Sequence, residues 1–227
     1  MKNSVYPYSI VIPAKNEGEG IRKIIRSLKS YSTDIIVVDG HSSDNTREIV
    51  KKENVRFCVD SGKGRGAGVR LGIKKALNNI VVLVDADGSH DIKDIPLLLS
   101  TLTRSNADMV IASRRTGGSM DMNLNIDGLI RSVGSDILTM LLNHRFNTTF
   151  TDILYSFRVV RKDKFTKAKI NAHDFSIEQE MLINFLKKDY KIIEVPSREA
   201  ARKWGKSKLH TLTGIKLLAK LLLNLYS

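Results

Sequence analysis

The sequence predicts an α/β protein, with a mostly parallel central sheet flanked by helices on both faces and an amphipathic helix at the C-terminus. Three observations point there. Short runs of Val, Ile and Leu alternate with segments of helical period through the first half of the chain, which is the pattern of consecutive βα units. The runs are nearly continuous in apolar character, as strands covered on both faces are. They also stop at acids and turn residues, and the carboxyl ends of such strands are where open α/β sheets bind ligands.

In chain order, residues 8–13 read as a first strand stopped by Pro13. A polar turn leads into a helix over 19–28, with Ile21, Ile24, Ile25 and Leu28 on one face. Residues 34–39 form a second strand ending in Asp39. Asp44 is the expected N-cap of a helix through Ile49 and Val50 toward Glu53. Residues 55–59 make a third strand, followed by the glycine-rich segment 61–68 and a basic helix through Leu77. The fourth strand opens at Val81 and runs into Asp85. Residues 92–102 read as a helix, with Pro96 tolerated in its first turns, and 108–113 as a fifth strand. Residues 114–126 carry Gly117-Gly118 and few large apolar residues, so a loop is expected. Beyond it come a helix over 129–142, a strand over 155–160, a helix over 177–186, a strand over 191–196 and a helix over 210–226. The expected organisation is one domain over 1–209 and the amphipathic helix over 210–227.

Composition narrows the function. Apolar residues make up 42% of the 227, enough for a full core. Lys and Arg number 37 against 24 Asp and Glu, a net charge of +13, so an anionic partner is expected: nucleic acid, nucleotide phosphates, a phospholipid surface or a phosphorylated acceptor. Cys58 is the one cysteine, which excludes an intrachain disulfide and a cysteine-based zinc site and fits a reducing compartment. The first residues lack an apolar core, so no signal peptide is expected. No run approaches the ~20 apolar residues of a spanning helix.

The most informative stretch is Val81-Val-Leu-Val-Asp-Ala-Asp-Gly-Ser-His90. Two carboxylates one residue apart at the end of a buried strand need a counter-charge, because burying an unpaired carboxylate is very unfavourable. A divalent cation carrying a phosphorylated ligand would supply it, since magnesium-type ions take one or two protein carboxylates plus substrate phosphates. The same residues also suit a turn that caps the next helix. The segment Gly62-Lys-Gly-Arg-Gly-Ala-Gly68 offers amides and cations to a phosphate, or is a solvated basic loop. It has neither the P-loop nor the dinucleotide-binding register. Asp39 could hydrogen-bond a base edge or ribose, or serve as an N-cap. The five histidines are scattered without metal-ligand spacing, and no Gly-x-Ser-x-Gly elbow is present, so a zinc hydrolase and acyl chemistry are not expected.

Three blocks taken together carry more. Ser9-Ile-Val-Ile-Pro-Ala-Lys-Asn-Glu17, Ile35-Ile-Val-Val-Asp-Gly-His-Ser-Ser-Asp-Asn-Thr46 and Val84-Asp-Ala-Asp-Gly-Ser-His90 resemble, in order and spacing, the family 2 glycosyltransferases of the GT-A fold. Ile95-Pro96, Ser113-Arg114, Arg131-x-x-x-Ser135, Ser156-Phe-Arg158, Phe175-x-x-Glu178, Glu194-Val-Pro196 and Arg202-x-x-Gly-x-Ser-Lys-Leu209 resemble its dolichol-phosphate mannosyltransferase and polyprenyl-phosphate glycosyltransferase branch. The resemblance implies that Pro13, Ala14, Asn16, Glu17 and Asp39 line the nucleotide pocket, with Lys63 and Arg65 near the diphosphate. It implies a metal pair, Asp85 and Asp87, with Ser89 as a further oxygen ligand, and Mg²⁺ or Mn²⁺ as the cofactor. Arg114, Arg131, Ser135 and Arg202 would gather an acceptor phosphate, and Glu178 would lie near the sugar. Asp87, Arg131, Arg202 and Glu178 are then the residues nearest the reaction. Asp39-Gly-His stands where many members have Asp-Asp-Gly, and Tyr155-Ser156 replaces a small residue and Gly, so the base contact and that turn are expected to differ.

The implied reaction moves a hexose, with inversion, from a nucleotide-sugar to a polyprenyl or dolichyl phosphate. The Asp-Gly-His-Ser and Asp-Ala-Asp-Gly-Ser blocks look more like members using UDP-sugars than the GDP-mannose enzymes. A phosphomonoester, with a second pKa of about 6, needs no general base. Two rivals stand beside this expectation. One is a family 2 enzyme that acts on a sugar or protein hydroxyl, with Asp152 or Glu178 as base. The other is a basic nucleic-acid-binding protein, disfavoured because aromatics are only 6% and no binding motif is present. The C-terminal helix, with Lys216, Lys220 and the upstream Lys203, Lys206 and Lys208, suits an anionic membrane surface, or packing on the core or a second subunit. A peripheral protein on the cytoplasmic face of the membrane is the resulting expectation, with no nucleic acid as partner.

Overall fold

The computed structural model describes residues 6–18, 20–118, 126–202, 204 and 211–226, and the side chains of 126–131, 211–217 and 226 fall outside that description. Seven strands form one sheet: β1 (Tyr8–Ala14), β2 (Asp34–Asp39), β3 (Arg56–Val59), β4 (Ile80–Leu83), β5 (Met109–Ser113), β6 (Arg158–Arg161) and β7 (Ile192–Pro196), in the order β3-β2-β1-β4-β6-β5-β7. All neighbours pair in parallel except β6, which lies antiparallel between β4 and β5. Val and Ile dominate the inner strands because β-branched side chains pack well on a pleated surface covered on both sides.

Alternation along each strand divides the core. Ile10, Ile12, Ile35, Val37, Val82 and Val110 face α1 (Ile21–Leu28), α2 (Thr46–Lys52) and α4 (Ile95–Arg104). Val11, Ile36, Val38, Val81, Leu83 and Ile111 face the other layer. That layer holds α3 (Arg65–Lys75), α6 (Ile126–Phe146), α7 (Lys162–Lys167), α8 (Ile177–Leu186) and α9 (Thr211–Tyr226). The four-residue α5 (Arg114–Gly117) follows β5 directly. α3 lies close enough to β1 that a Cβ on Gly72 would stand 2.2 Å from Val11 Cγ1.

Several elements depart from the sequence reading, each for a local reason. The helix after β2 begins at Thr46 with Asn45 at the cap position, yet the Asp44 carboxylate accepts from Thr46 N at 3.0 Å. Capping thus comes from one residue further back than usual. The glycine-rich segment is not all loop, since α3 starts at Arg65 and takes Gly66 and Gly68 into its first turns. Residues 92–94 form a 3₁₀ turn capped by Asp91, so α4 starts at Ile95. The expected loop from 114 begins instead as α5, because the Ser113 hydroxyl accepts from Arg115 N and Thr116 N, and Gly118 at φ 94° ends it. Residues 119–125 lie outside the described set. The strand expected over 155–160 starts only at Arg158. α9 packs on α6 and α8 through Leu221 and Leu225, and Lys220 Nζ pairs with Asp174 Oδ2 at 2.6 Å, while Leu222 and Leu223 stay exposed. No described helix is long and apolar enough to cross a membrane.

Candidate active site

The carboxyl ends of β1, β2 and β4 converge because the three strands are parallel neighbours, with Ala14 in register with Asp39. The polar loops that leave them lace together. Asn16, at φ 53°, donates its amide to Ser42 Oγ and accepts Ser43 N on Oδ1, both at 2.8 Å. Glu17 N donates to Thr46 Oγ1 at 2.9 Å. Asp39 is fully buried; its carboxylate accepts from Ser42 N and stands 3.4 Å from Arg47 Nη2. Pro13 and Ala14 form the end of β1 beside it. Lys63 is exposed on the loop before α3.

Beyond β4 the chain turns through Asp85-Ala-Asp87, with Gly88 at φ 76°. Asp85 Oδ1 accepts from Arg65 Nη2 at 2.6 Å, and Asp85 Oδ2 accepts from Ser156 Oγ at 2.7 Å. The second contact follows from the antiparallel register. Leu83 pairs with Arg158, so two residues further on Asp85 meets Ser156. His90 completes the arrangement: its Nδ1 accepts from Asp85 N at 3.2 Å, and its Nε2 lies 3.1 Å from Ser156 Oγ. An Nδ1 that accepts must be unprotonated, so Nε2–H donates to Ser156 and the serine hydroxyl passes the bond on to Asp85. Burial lowers the His90 pKa, which agrees with that neutral tautomer. Burial alone would raise the Asp85 pKa, but the Arg65 charge overcomes it and holds the carboxyl well below the usual range.

Asp87 is buried. Its Oδ1 accepts from Ser89 N at 3.0 Å and Ser89 Oγ at 2.7 Å, and its Oδ2 lies 2.9 Å from Arg202 Nη2. Arg202 reaches it because the segment after β7 crosses this turn: His90 bridges to Glu199, and Ala200 N donates to Ser89 O at 2.9 Å. Trp204, the sole tryptophan, fixes the crossing by donating Nε1–H to Ala86 O at 2.8 Å. It lies against Gly20, where any Cβ would overlap the indole.

Arg65 bridges to a third carboxylate, Glu178 in the first turn of α8, through Nε at 3.0 Å. Glu178 is positioned from behind by Arg158, a guanidinium with no exposed surface. It donates to the carbonyls of Tyr155 at 2.9 Å, Glu178 at 2.7 Å and Ile153. Burial pushes the Arg158 pKa down to about 10, which leaves it charged at neutral pH.

A second cluster adjoins. Arg114 grips the buried Asp152 with a fork, Nε to Oδ2 at 2.6 Å and Nη2 to Oδ1 at 3.0 Å, and reaches Glu199 at 3.4 Å. Its guanidinium lies 4.8 Å from the Tyr155 ring centroid. Glu194 supports the fork by accepting from the amides of Thr151 and Asp152. Ser135 lies half-buried along α6, where its carbonyl accepts from Thr139 Oγ1. The Arg131 side chain lies outside the described residues, as do Gly205 to Leu209.

The structure therefore gathers Arg65, Asp85, Asp87, Ser89, Glu178 and Arg202 around the carboxyl end of β4, the central strand of the sheet. His90, Ser156, Arg158 and Trp204 join the site without having been candidates, although His90, Ser156 and Arg158 stood in quoted motifs. Paired carboxylates at the end of a strand, Asp85 and Asp87, with the Ser89 hydroxyl on Asp87, present the hard oxygen donors that suit a divalent cation of the magnesium type. Among the described residues no group of three or more His, Cys, Asp or Glu forms a cage that could hold a metal without help. A cation here would need further oxygens from a ligand.

Comparison with known proteins agrees with this geometry. The profile of glycosyl transferase family 2 matches residues 9–168. An uncharacterized protein of Methanocaldococcus jannaschii is 30% identical over 94% of this chain and 90% of its own length. The glycosyltransferase AglJ of Haloferax volcanii is 28% identical over 83% of this chain, which spans 61% of that protein. Among solved structures, glucosyl-3-phosphoglycerate synthase from Mycobacterium tuberculosis, in complex with Mn²⁺, UDP and glucosyl-3-phosphoglycerate, superposes with a TM-score of 0.77. That likeness covers 96% of this chain and 80% of the other at 19% identity, and it shows the shared GT-A architecture. The chain belongs to the family 2 glycosyltransferases.

Proposed function

We propose that the protein transfers a hexose, with inversion, from a nucleotide-sugar to a polyprenyl or dolichyl phosphate, with Mg²⁺ or Mn²⁺ as cofactor. Asp85 and Asp87 would hold the cation, with Ser89 Oγ beside Asp87. When bound, the cation neutralises charge that builds on the diphosphate leaving group. The complexes of glucosyl-3-phosphoglycerate synthase with UDP and with Mn²⁺ or Mg²⁺ support a UDP-sugar as donor. The loops at the ends of β1 and β2, through Asn16, Glu17 and the Ser42 turn, are suited to the nucleoside.

The choice of acceptor rests on one observation: both carboxylates that could serve as a general base are held by arginines. Asp152 is buried and forked by Arg114, and Glu178 is bonded to Arg65. A hydroxyl acceptor needs a base, whereas a phosphomonoester, with a second pKa of about 6, arrives largely deprotonated. What it needs is cations to orient it and reduce repulsion from the diphosphate, and the Arg114 guanidinium offers a planar donor for that task. A membrane-surface location on the cytoplasmic side is part of the same reading. It draws support from the exposed Val133, Ile137 and Met140 of α6 and the exposed Leu222 and Leu223 of α9, two helices in contact, on a chain of +13.

The test is incubation with a panel of UDP- and GDP-sugars and Mn²⁺, offering polyprenyl phosphate, free polyprenol and phosphoglyceric acid as separate acceptors, followed by mass spectrometry. Glycosylated polyprenyl phosphate as the sole product supports the reading. Transfer to phosphoglyceric acid, or to the alcohol, with none to the lipid phosphate would replace it.

A further inference from the structure

Each aspartate of the Asp85–Asp87 pair already carries a cation. Arg65 Nη2 is 2.6 Å from Asp85 Oδ1, and Arg202 Nη2 is 2.9 Å from Asp87 Oδ2. The remaining oxygens accept neutral donors, Ser156 Oγ on Asp85 and Ser89 N and Oγ on Asp87. A divalent ion that approached alone would meet two guanidiniums and would have to displace them from charge-assisted bonds. It would also find, among the described residues, no group of three His, Cys, Asp or Glu side chains able to hold it.

A nucleoside diphosphate changes both conditions. Its phosphate oxygens offer guanidiniums planar, bidentate partners at least as good as a carboxylate, and they supply the missing ligands for the ion. Arg202 is the freer of the two, on an irregular segment with 29% of its side chain exposed; Arg65, the first residue of α3, is 16% exposed and is also bonded to Glu178 through Nε.

We propose that Arg65 and Arg202 are place-holders for the divalent cation: they hold Asp85 and Asp87 until a nucleoside diphosphate draws the guanidiniums onto its phosphates, so cation and nucleotide bind as a linked pair. This rests on the reading of the site as a metal-dependent nucleotide-sugar site, and it adds the order in which that site fills. Linkage is reciprocal, so the nucleotide must also bind weakly without the cation. A physical consequence is that the two carboxylates are never left uncompensated, with or without ligand. The enzyme would also not be loaded by Mg²⁺ alone.

The test is a titration of the full chain with Mn²⁺, following the electron paramagnetic resonance signal of the free ion, with and without saturating UDP and with GDP in parallel. Formation of the Mn²⁺–nucleotide complex is subtracted. The expected result is that nucleotide tightens Mn²⁺ binding by about tenfold or more, within the usual range of linkage between sites. Arg65→Gln should tighten binding of Mn²⁺ alone by a similar factor and shrink the effect of nucleotide. Arg202→Gln, whose side chain is more exposed, should do the same with less risk to folding. Equal Mn²⁺ affinity with and without nucleotide, or glutamine variants that bind Mn²⁺ alone no better than the wild type, would overturn the place-holder role. Absence of Mn²⁺ binding even with UDP and GDP would instead remove the metal reading, and this inference with it.

Discussion

Replacing Gly66 by alanine should loosen the base of the site. Gly66 is the second residue of α3, and Ala67 N, next to it, donates to His173 O at 3.1 Å. A Cβ at position 66 would stand 2.6 Å from Ala172 O, 2.8 Å from His173 C and 2.9 Å from Asp174 O. All three are backbone atoms that cannot rotate away, so the helix start must shift. Overpacking of this kind destabilises by about 1–3 kcal/mol. A Gly→Ala change inside a helix returns up to about 1 kcal/mol, and less in the first turn. The net expectation is a loss of about 1–2 kcal/mol, which lowers Tm by about 2–8 °C at this chain length. Gly134 in α6 is the control, since a Cβ there meets nothing within 4 Å. Gly134→Ala should raise Tm by about 1–4 °C. Because Arg65 precedes Gly66, the shift should also displace its bonds to Asp85 and Glu178 and weaken UDP binding. Differential scanning calorimetry and titration with UDP and Mn²⁺ measure both effects. If Gly66→Ala stabilises the protein as Gly134→Ala does, the close approach of α3 to residues 172–174 does not govern this site.

Three further outcomes follow from the same geometry. Arg158→Met leaves three buried carbonyls without their charged donor, each worth about 1–3 kcal/mol, partly offset by no longer burying a guanidinium, so denaturant unfolding should show a loss of about 3 kcal/mol. A variant as stable as the wild type would contradict this. Ser156→Ala cuts the bond that joins His90 to Asp85; a lost bond worth about 1 kcal/mol should lower turnover about fivefold and Tm by about 2–4 °C; unchanged turnover would show that the serine does not aim Asp85. The third concerns acid. Burial would raise the Asp174 pKa, but Lys220 and Ser176 bring it from 3.8 down to about 2, so the pair's stabilisation is present above pH 3.8 and is lost as pH falls toward 2. With both side chains nearly half exposed it is worth under about 1 kcal/mol. Comparing Lys220→Met with wild type between pH 2 and 5 should show the gap closing as the pH falls, and a constant gap would assign the effect to packing.

The fold was legible where local pattern and burial agree. The Val and Ile runs of β1, β2 and β5 and the four-residue apolar face of α1 carry their own periodicity, so their positions follow from sequence. The orientation of β6 does not, because antiparallel insertion is decided by how the chain returns from α6, which no local residue encodes. That return is what brings Ser156 opposite Asp85 and aims His90 at both. The glycines of 62–68 suited a phosphate loop or a solvated basic loop, and the structure shows Gly66 and Gly68 inside α3 against packed neighbours, since a missing side chain looks the same in sequence whether backbone or ligand fills the space. Asp85 and Asp87 were recognisable as a pair, whereas their counter-charges were not. Arg65 lies 20 residues upstream of Asp85, and Arg202 far downstream of Asp87 on a segment seated by Trp204.

In the proposed reaction Asp85 and Asp87 form the cation site that helps to release a sugar from its nucleotide. The most direct measurement is nucleotide release from a panel of UDP- and GDP-sugars in the presence of polyprenyl phosphate, for wild type and Asp87→Ala, each with and without Mn²⁺. Wild type is expected to release nucleotide only with Mn²⁺, and Asp87→Ala none above background even at saturating metal. Equal release by Asp87→Ala, with the same dependence on Mn²⁺, would contradict it.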